Sequence, residues 1–173
     1  QGHLALVAEV RKALEKQQFE LYYQPKIRAA DGTIAGFEAL ARWIHPERGV
    51  VPPFEFIDIA EESGLIIPLG EWVMQAACEQ AMSWQRAGFD EMRISVNVAS
   101  QQLTESDIVT TVEKVLKTTG LDGAHLDGVL HRHGRNRAHA EHTVGLEGLQ
   151  VGLDAGATGR VGSRDVQGGL HTR

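Results

Sequence analysis

The sequence has few cysteines, few aromatic residues and no long apolar run. Cys78 is the single cysteine among 173 residues, which excludes an internal disulfide framework and favours a reducing, cytoplasmic setting. No apolar stretch approaches the ~18 residues of a membrane span, so no membrane insertion is predicted in this segment. The net charge of −6 argues against a nucleic-acid polymer as partner but is compatible with a small phosphate ligand held by local cations.

A second absence divides the chain near Leu121. Residues 122–173 contain no Lys, Ile, Phe, Trp, Tyr, Pro, Met or Cys, yet they hold 11 of the 19 Gly and 6 of the 8 His. Such a segment has little apolar surface to offset its ordering entropy, so we expect a diverged, poorly packed tail. The bias is also typical of GC-rich DNA translated in a shifted frame, and both explanations stay open.

Strand and helix patterns alternate before this point. Thr104 and Asp107 form a capping-box pattern that predicts the start of the last helix, and Gly120 is expected to end it. Alternation of this kind predicts a parallel α/β sheet or barrel, to which the first hairpin adds one antiparallel strand. The chain is short for a complete barrel of ~250 residues. The predicted helices are 4–16, 54–63, 69–87 and 106–118, and the predicted strands are 19–27, 34–42 and 92–99.

Polar residues recur on the predicted strands. Glu38, Leu40 and Arg42 share one face of the second strand because side chains alternate along it. Gln24 lies on the hairpin partner, and Asn97 lies near the carboxyl end of the third strand. Carboxylate and amide oxygens suit Mg²⁺ or Mn²⁺, and an Arg fork suits a phosphate. From the pattern alone, exposed strand polars with one structural Arg are the better interpretation.

Longer motifs change this interpretation. The segments "YYQP", "GFEALARWIHPERGVVPPFEFIDIAEESGLI", "LGEWVMQAACEQ" and "ISVNVASQQL" together resemble the N-terminal half of an EAL domain, over about residues 19–121. The EAL family consists of bacterial phosphodiesterases that hydrolyse cyclic di-GMP. The resemblance implies an incomplete TIM-like (β/α) barrel with an antiparallel first strand. It divides the chain into an N-terminal helix and linker (1–18), the half-barrel (19–121) and the tail (122–173).

The resemblance also implies roles for individual residues. Glu38 corresponds to a catalytic, metal-binding Glu, and Asn97 corresponds to a metal-binding Asn. Gln24, Leu40 and Arg42 correspond to positions that contact the dinucleotide, the last of them at its phosphate. In such a site Mg²⁺ or Mn²⁺ ions activate a water that opens cyclic di-GMP to linear pGpG.

Other implied features concern the surroundings of the site. Pro53 and Glu61 match a helix that we interpret as scaffold. Because the chain begins at Gln1, we expect that a regulatory domain was once attached, and a homodimer stays open.

The second half departs from the family pattern. In "HLDGVLHR", Val129 stands where the family has a further metal-binding Glu. Asp127 is a nearby carboxylate, but we expect it to face the other side, because a one-residue register shift reverses a side chain. In "LDAGATG" (153–159), Asp154 is a weak match to the first of two paired Asp residues, and Ala155 replaces the second. No Lys follows Lys117, although the family has a later active-site Lys.

Three alternatives therefore remain from the sequence. The chain represents an active cyclic di-GMP phosphodiesterase, a degenerate module that binds cyclic di-GMP or a protein partner without turnover, or the product of a frameshifted gene. The missing residues argue against the first alternative for the chain as written.

Overall fold

The computed structural model describes residues 2–131 and 142–145, and its strands form one mixed sheet. The strands are β1 (Phe19–Ile27), β2 (Ile34–His45), β3 (Gly49–Val51), β4 (Arg93–Ala99), β5 (Leu126–His131) and β6 (His142–Gly145). The helices are α1 (Gly2–Glu15), α2 (Ile57–Glu62), α3 (Ile66–Arg86), α4 (Ser100–Glu105) and α5 (Ile108–Thr119), with 3-10 turns at Pro53–Glu55 and Gly123–His125.

The sheet combines parallel and antiparallel pairs. Its order is β1-β2-β4-β5-β6, with β3 paired to β2. β1 runs antiparallel to β2, whereas β4 is parallel to both β2 and β5. The helices α2 and α3 precede β4 in the chain, and α4 and α5 precede β5. This confirms the expected α/β class and its antiparallel first strand.

The core lies between the sheet and the helices. Ile94, Val96 and Val98 alternate along β4 and are buried. They belong to the same apolar cluster as Met74 and Cys78 of α3, and burying one such aliphatic side chain contributes about 1.5–3 kcal/mol. Burial also raises the pKa of the Cys78 thiol to about 12. Cys78 is therefore a small core residue, as its position mid-helix predicts.

The helix after β4 differs from the prediction. The chain first forms α4 and then becomes extended at Ser106 before α5 begins. Asp107 is the N-cap of α5, since its Oδ1 accepts a hydrogen bond from the Thr110 backbone N–H at 3.1 Å. Thr104 lies inside α4 and bonds back to the Ser100 carbonyl. The predicted capping box is therefore wrong, because its two residues belong to different helices.

Gly120 ends α5 as predicted. Its φ of 78° is the left-handed conformation that glycine adopts without steric cost, and its N–H donates to the Leu116 carbonyl.

The composition change at Leu121 does not mark the end of the sheet. Residues 126–131 form β5, which pairs in register with β4, and β6 pairs with β5 in turn. Leu126 and Val129 are buried. The first residues beyond Leu121 are thus packed: Leu126 continues the apolar face of β4 as the partner of Ile94, whereas Val129 is buried on the other face, in register with Asn97. The predictions for residues 132–141 and 146–173 lie outside the described residues.

Candidate functional site

One face of the sheet carries a row of polar residues. Gln24, Glu38, Ser95 and Asp127 are in-register neighbours across β1, β2, β4 and β5. Side chains in register across a sheet point to the same side, so this row shares one face. It is the face opposite Ile94, Val96 and Val98, which pack on the helices. The alternation predicted for β2 therefore places Glu38 with the polar row.

Glu38 and Asn97 meet between adjacent strands. The Asn97 Nδ2 donates a hydrogen bond to the Glu38 Oε1 at 3.0 Å, and both side chains are half-buried. The bond holds a carboxylate and an amide, two hard-oxygen groups, side by side.

Arg42 lies further along β2. Its Nη1 donates to the Ala41 carbonyl at 2.9 Å, and its Cζ lies 5.5 Å from the centroid of the exposed Tyr22 ring. This distance falls within the cation–π range. Gln24 is exposed opposite Glu38. The structure therefore brings Glu38 and Asn97 into contact and stacks Arg42 on Tyr22.

Trp43, which follows Arg42, does not join this face. It is buried in an aromatic cluster with Phe19 and Phe56, at centroid distances of 6.1 and 6.3 Å respectively. Trp43 is therefore a packing residue.

A cavity of about 510 Å³ opens where β2 and β4 approach α2, α3 and α4. Leu40 and Asn97 are the two predicted site residues in its lining. Pro53 and Glu61, which we interpreted as scaffold, line it as well, together with Phe54 and Asp58. The apolar, concave shape is typical of a small-molecule site. Phe54 and Asp58 both fall in the predicted helix 54–63, but the structure places Phe54 in a 3-10 turn and Asp58 in α2, and the helical pattern did not mark either as a site residue.

The end of β4 is held by a buried glutamine. The Gln102 Oε1 accepts a hydrogen bond from the Ala99 backbone N–H at 3.0 Å. A Cβ at Gly70 would lie 2.0 Å from the Gln102 Nε2, so a side chain there would displace the Gln102 amide from its hydrogen bond to Ala99. This packing fixes the strand end two residues beyond Asn97, and the sequence offered no signal for it.

The neighbour of Asn97 on β5 differs from its neighbour on β2. Val129 is the in-register partner of Asn97 on β5 and is buried. Asp127 shares the face of Glu38 and Ser95, so the prediction that it faces the other side is wrong. The reason is simple: Asp127 and Val129 are two residues apart, and side chains two apart on a strand share a face. Its carboxylate accepts hydrogen bonds from the Arg93 Nη2 at 2.6 Å and Nε at 3.3 Å.

A further cation lies on this face. The Lys26 Nζ donates to the Oγ of the buried Ser95 at 2.9 Å. Lys26 shares its face with Tyr22 and Gln24, as the alternation of β1 predicts. Its contact with Ser95 depends on the sheet order, because β2 lies between β1 and β4.

The comparisons with known proteins decide the family. A family model described as the EAL domain matches residues 7–160. The chain belongs to the EAL family. The matched range continues beyond Leu121 and includes the segment 153–159 that echoes the paired-Asp loop. Asp154 itself lies outside the described residues.

Curated relatives agree with this assignment. The chain is 42% identical over 125 residues to the cyclic di-GMP phosphodiesterase PdeR of Escherichia coli K12, covering 72% of this chain and 19% of that protein. It is 40% identical over 126 residues to the bifunctional diguanylate cyclase/cyclic di-GMP phosphodiesterase MucR of Pseudomonas aeruginosa PAO1, covering 73% and 18%. The chain thus spans less than a fifth of the length of these relatives.

Solved structures agree on the fold. The MucR phosphodiesterase in its cyclic di-GMP complex matches with a TM-score of 0.68 and 39% identity, covering 70% of this chain and 49% of that one. The fold is therefore part of the TIM-like barrel of EAL domains, with the antiparallel first strand that the resemblance implied. No helix in the described part of the chain is long and apolar enough to cross a membrane.

The divalent-metal dependence of EAL phosphodiesterases can be tested against the residues present. Glu38 and Asn97 are suitable in kind, because their oxygens are hard ligands. They are not sufficient in number, since the described residues contain no cluster of three or more His, Cys, Asp or Glu able to hold an ion. Val129 brings an apolar group to the position beside Asn97. The described residues thus do not complete a metal site, and no hydrolytic step follows from them.

Proposed function

We propose that this chain carries the dinucleotide-binding edge of a cyclic di-GMP phosphodiesterase. The observation that carries the proposal is the 3.0 Å contact between Glu38 and Asn97 in a chain of the EAL family. Glu38 is the catalytic, metal-binding carboxylate, and Asn97 is the second ligand, for Mg²⁺ or Mn²⁺. Conversion of cyclic di-GMP to pGpG is the reaction of the complete site.

Binding of the dinucleotide uses three further residues. Arg42 holds a phosphate through the planar donors of its guanidinium, which the Tyr22 ring and the Ala41 carbonyl keep in position. Leu40 offers an apolar contact in the cavity, and Gln24 offers an amide beside Glu38. These contacts require no metal, so binding is separable from turnover.

A second candidate is binding without turnover. It is favoured by Val129, which is buried at the position in register with Asn97 and cannot ligate an ion. Hydrolysis of a phosphodiester depends on ions that are fixed in position. We therefore propose that the chain as written binds cyclic di-GMP and hydrolyses it far more slowly than an intact relative.

The experiment is a turnover assay with excess Mn²⁺, beside calorimetric titration of cyclic di-GMP. We expect measurable binding by the wild-type chain, weaker binding by Arg42→Ala, and pGpG formation at or below the detection limit. The matched control is Arg28→Ala, since Arg28 is an exposed cation on the loop of the same hairpin. Rapid turnover that Glu38→Ala abolishes would show a complete catalytic site and refute the non-catalytic candidate. Absence of binding would refute both candidates.

Three wider proposals accompany this one. The protein acts in the cytoplasm, where a reduced Cys78 is stable. A regulatory domain is attached in the full protein, in keeping with the greater length of the relatives. Homodimerisation stays a proposal to be tested by sedimentation.

A further inference from the structure

Phe54 has an exposed aromatic ring beside the cavity. Its exposed fraction is 77%, compared with 55% for Phe89 and 46% for Tyr22. It lies in the 3-10 turn Pro53–Glu55, directly after β3 and before α2. Keeping a phenyl ring in water forgoes the favourable free energy of its burial, so packing does not explain this position.

The backbone under Phe54 is firmly held. Pro52 and Pro53 restrict φ on its N-terminal side, and the Phe56 N–H donates to the Pro53 carbonyl at 3.1 Å. Phe56 is fully buried and lies 5.4 Å from Phe19, measured between ring centroids. The turn is thus anchored by its neighbour on one side and by prolines on the other. Phe54 presents its ring from a rigid base at the rim of the cavity.

The charges of the cavity indicate which part of a nucleotide would lie there. Asp58 and Glu61 line the cavity together with Phe54, whereas Arg42 lies outside its lining, at Tyr22. Carboxylates repel a phosphate, but they accept hydrogen bonds from the N1–H and N2–H₂ donors of guanine. An aromatic ring stacks on any base through its π face. The acidic, aromatic end of the site therefore suits a base, and the Arg42 end suits a phosphate.

We propose that Phe54 is a binding residue that stacks on a guanine base of cyclic di-GMP, with Asp58 and Glu61 facing the edge of that base. The proposal rests on the proposed function, since it assigns a place to one part of the same ligand. It also makes Phe54 a residue that favours guanine dinucleotides over ligands without a stacking base.

The test is calorimetric titration of cyclic di-GMP into the full 173-residue chain and its variants. Base–aromatic stacking predicts that Phe54→Ala weakens binding about 5- to 150-fold. Phe54→Tyr should bind within about 2-fold of wild type, because the ring is retained. The matched control is Phe89→Ala: Phe89 is 55% exposed and lies outside the cavity lining, so its loss should leave the affinity unchanged. Because Phe54 is exposed, thermal unfolding should show that all variants fold.

A spectroscopic variant gives a second readout. In Phe54→Trp, stacking on guanine should quench the added indole when cyclic di-GMP binds, beyond any change in the wild-type emission. Equal affinity of Phe54→Ala and Phe89→Ala, while Arg42→Ala weakens binding, overturns the role of Phe54 and leaves the proposed function intact. If Phe54→Ala changes the sedimentation of the chain but not its affinity for cyclic di-GMP, the ring makes a protein–protein contact and its role in base stacking is also overturned. If the wild-type chain does not bind, the proposed function and this inference both fail.

Discussion

The two sides of β4 carry polar residues with different partners. On the β2 side, Asn97 donates to Glu38, and on the β5 side its in-register neighbour is the buried Val129. The carboxylate of β5 belongs to Asp127, which lies two residues before Val129 and pairs with Arg93 of β4. The β2 side therefore presents a ligand-type pair at the site, whereas the β5 side uses its charge within the sheet. A carboxylate on the polar face therefore indicates a metal ligand only once the side chain that it contacts is known.

The largest expected effect comes from making the β5 side resemble the β2 side. Val129→Glu places a carboxylate in register with Asn97, so we expect Mn²⁺ affinity to rise about 10-fold or more, the scale on which supporting groups affect metal sites. Burial of the new charge should lower the Tm without metal, and Mn²⁺ should restore it through preferential binding to the folded state. The measurement is thermal unfolding across an Mn²⁺ titration. Val129→Gln is the control, and equal Mn²⁺ responses of the two variants would contradict the placement.

The next effect concerns the stability of the sheet. Asp127→Ala removes a carboxylate that is only 12% exposed and leaves the Arg93 guanidinium without it. Arg93 is 47% exposed and can be partly hydrated, so the expected loss in the free energy of unfolding is about 1–2 kcal/mol. Urea denaturation measures it, beside Asp90→Ala at an exposed loop position. If both variants unfold alike, the Asp127–Arg93 pair does not stabilise the fold.

A smaller effect tests the orientation of Arg42. Tyr22→Leu removes the ring under the guanidinium, and an exposed cation–π contact contributes about 0.5–1 kcal/mol. Cyclic di-GMP binding should therefore weaken about 2- to 5-fold. Tyr22→Phe retains the ring and should bind as wild type does. In the Arg42→Ala background the two Tyr22 substitutions should have the same affinity, and any difference between them there would argue against the coupling.

The smallest expected effect on stability lies at Glu38. Glu38→Gln retains an acceptor for Asn97 at a half-buried position, so the free energy of unfolding should change by no more than about 0.5 kcal/mol. Metal binding should nevertheless decrease, because a neutral amide replaces the carboxylate. Denaturation and Mn²⁺ titration on one sample separate the two properties. A large loss of stability would make Glu38 a structural residue like Asp127.

Several elements were predictable because their signals are local. Alternation in β1 and β4 gave these strands within one residue, and Gly120 was identified as the end of α5. The same alternation placed Glu38, Leu40 and Arg42 on one face of β2, but only the resemblance to the EAL family made them candidate site residues. The family was predictable from motifs in the correct order, and the match over residues 7–160 confirms it.

Other features depend on residues far apart in the chain. The Lys26–Ser95 and Arg93–Asp127 contacts join positions 69 and 34 residues apart, respectively, and no local pattern specifies such partners. The same is true of Gly70, whose missing side chain makes room for Gln102. The cavity around Phe54 also needs the sheet and three helices in place before it exists. The hypothesis of a frame change beyond Leu121 remains a prediction, testable by reading the gene for a paired-Asp loop in another frame.

By itself, the sequence determined the alternation of strands and helices, the family, and which residue types face the site. These depend on periodicity and on short motifs, which a linear chain carries in full. Tertiary structure alone decided that Asn97 meets Glu38 on one side and Val129 on the other, and that Asp127 is held by Arg93. The physical reason is that register between strands is set by packing of the whole sheet on its helices, and contact between side chains depends on that register.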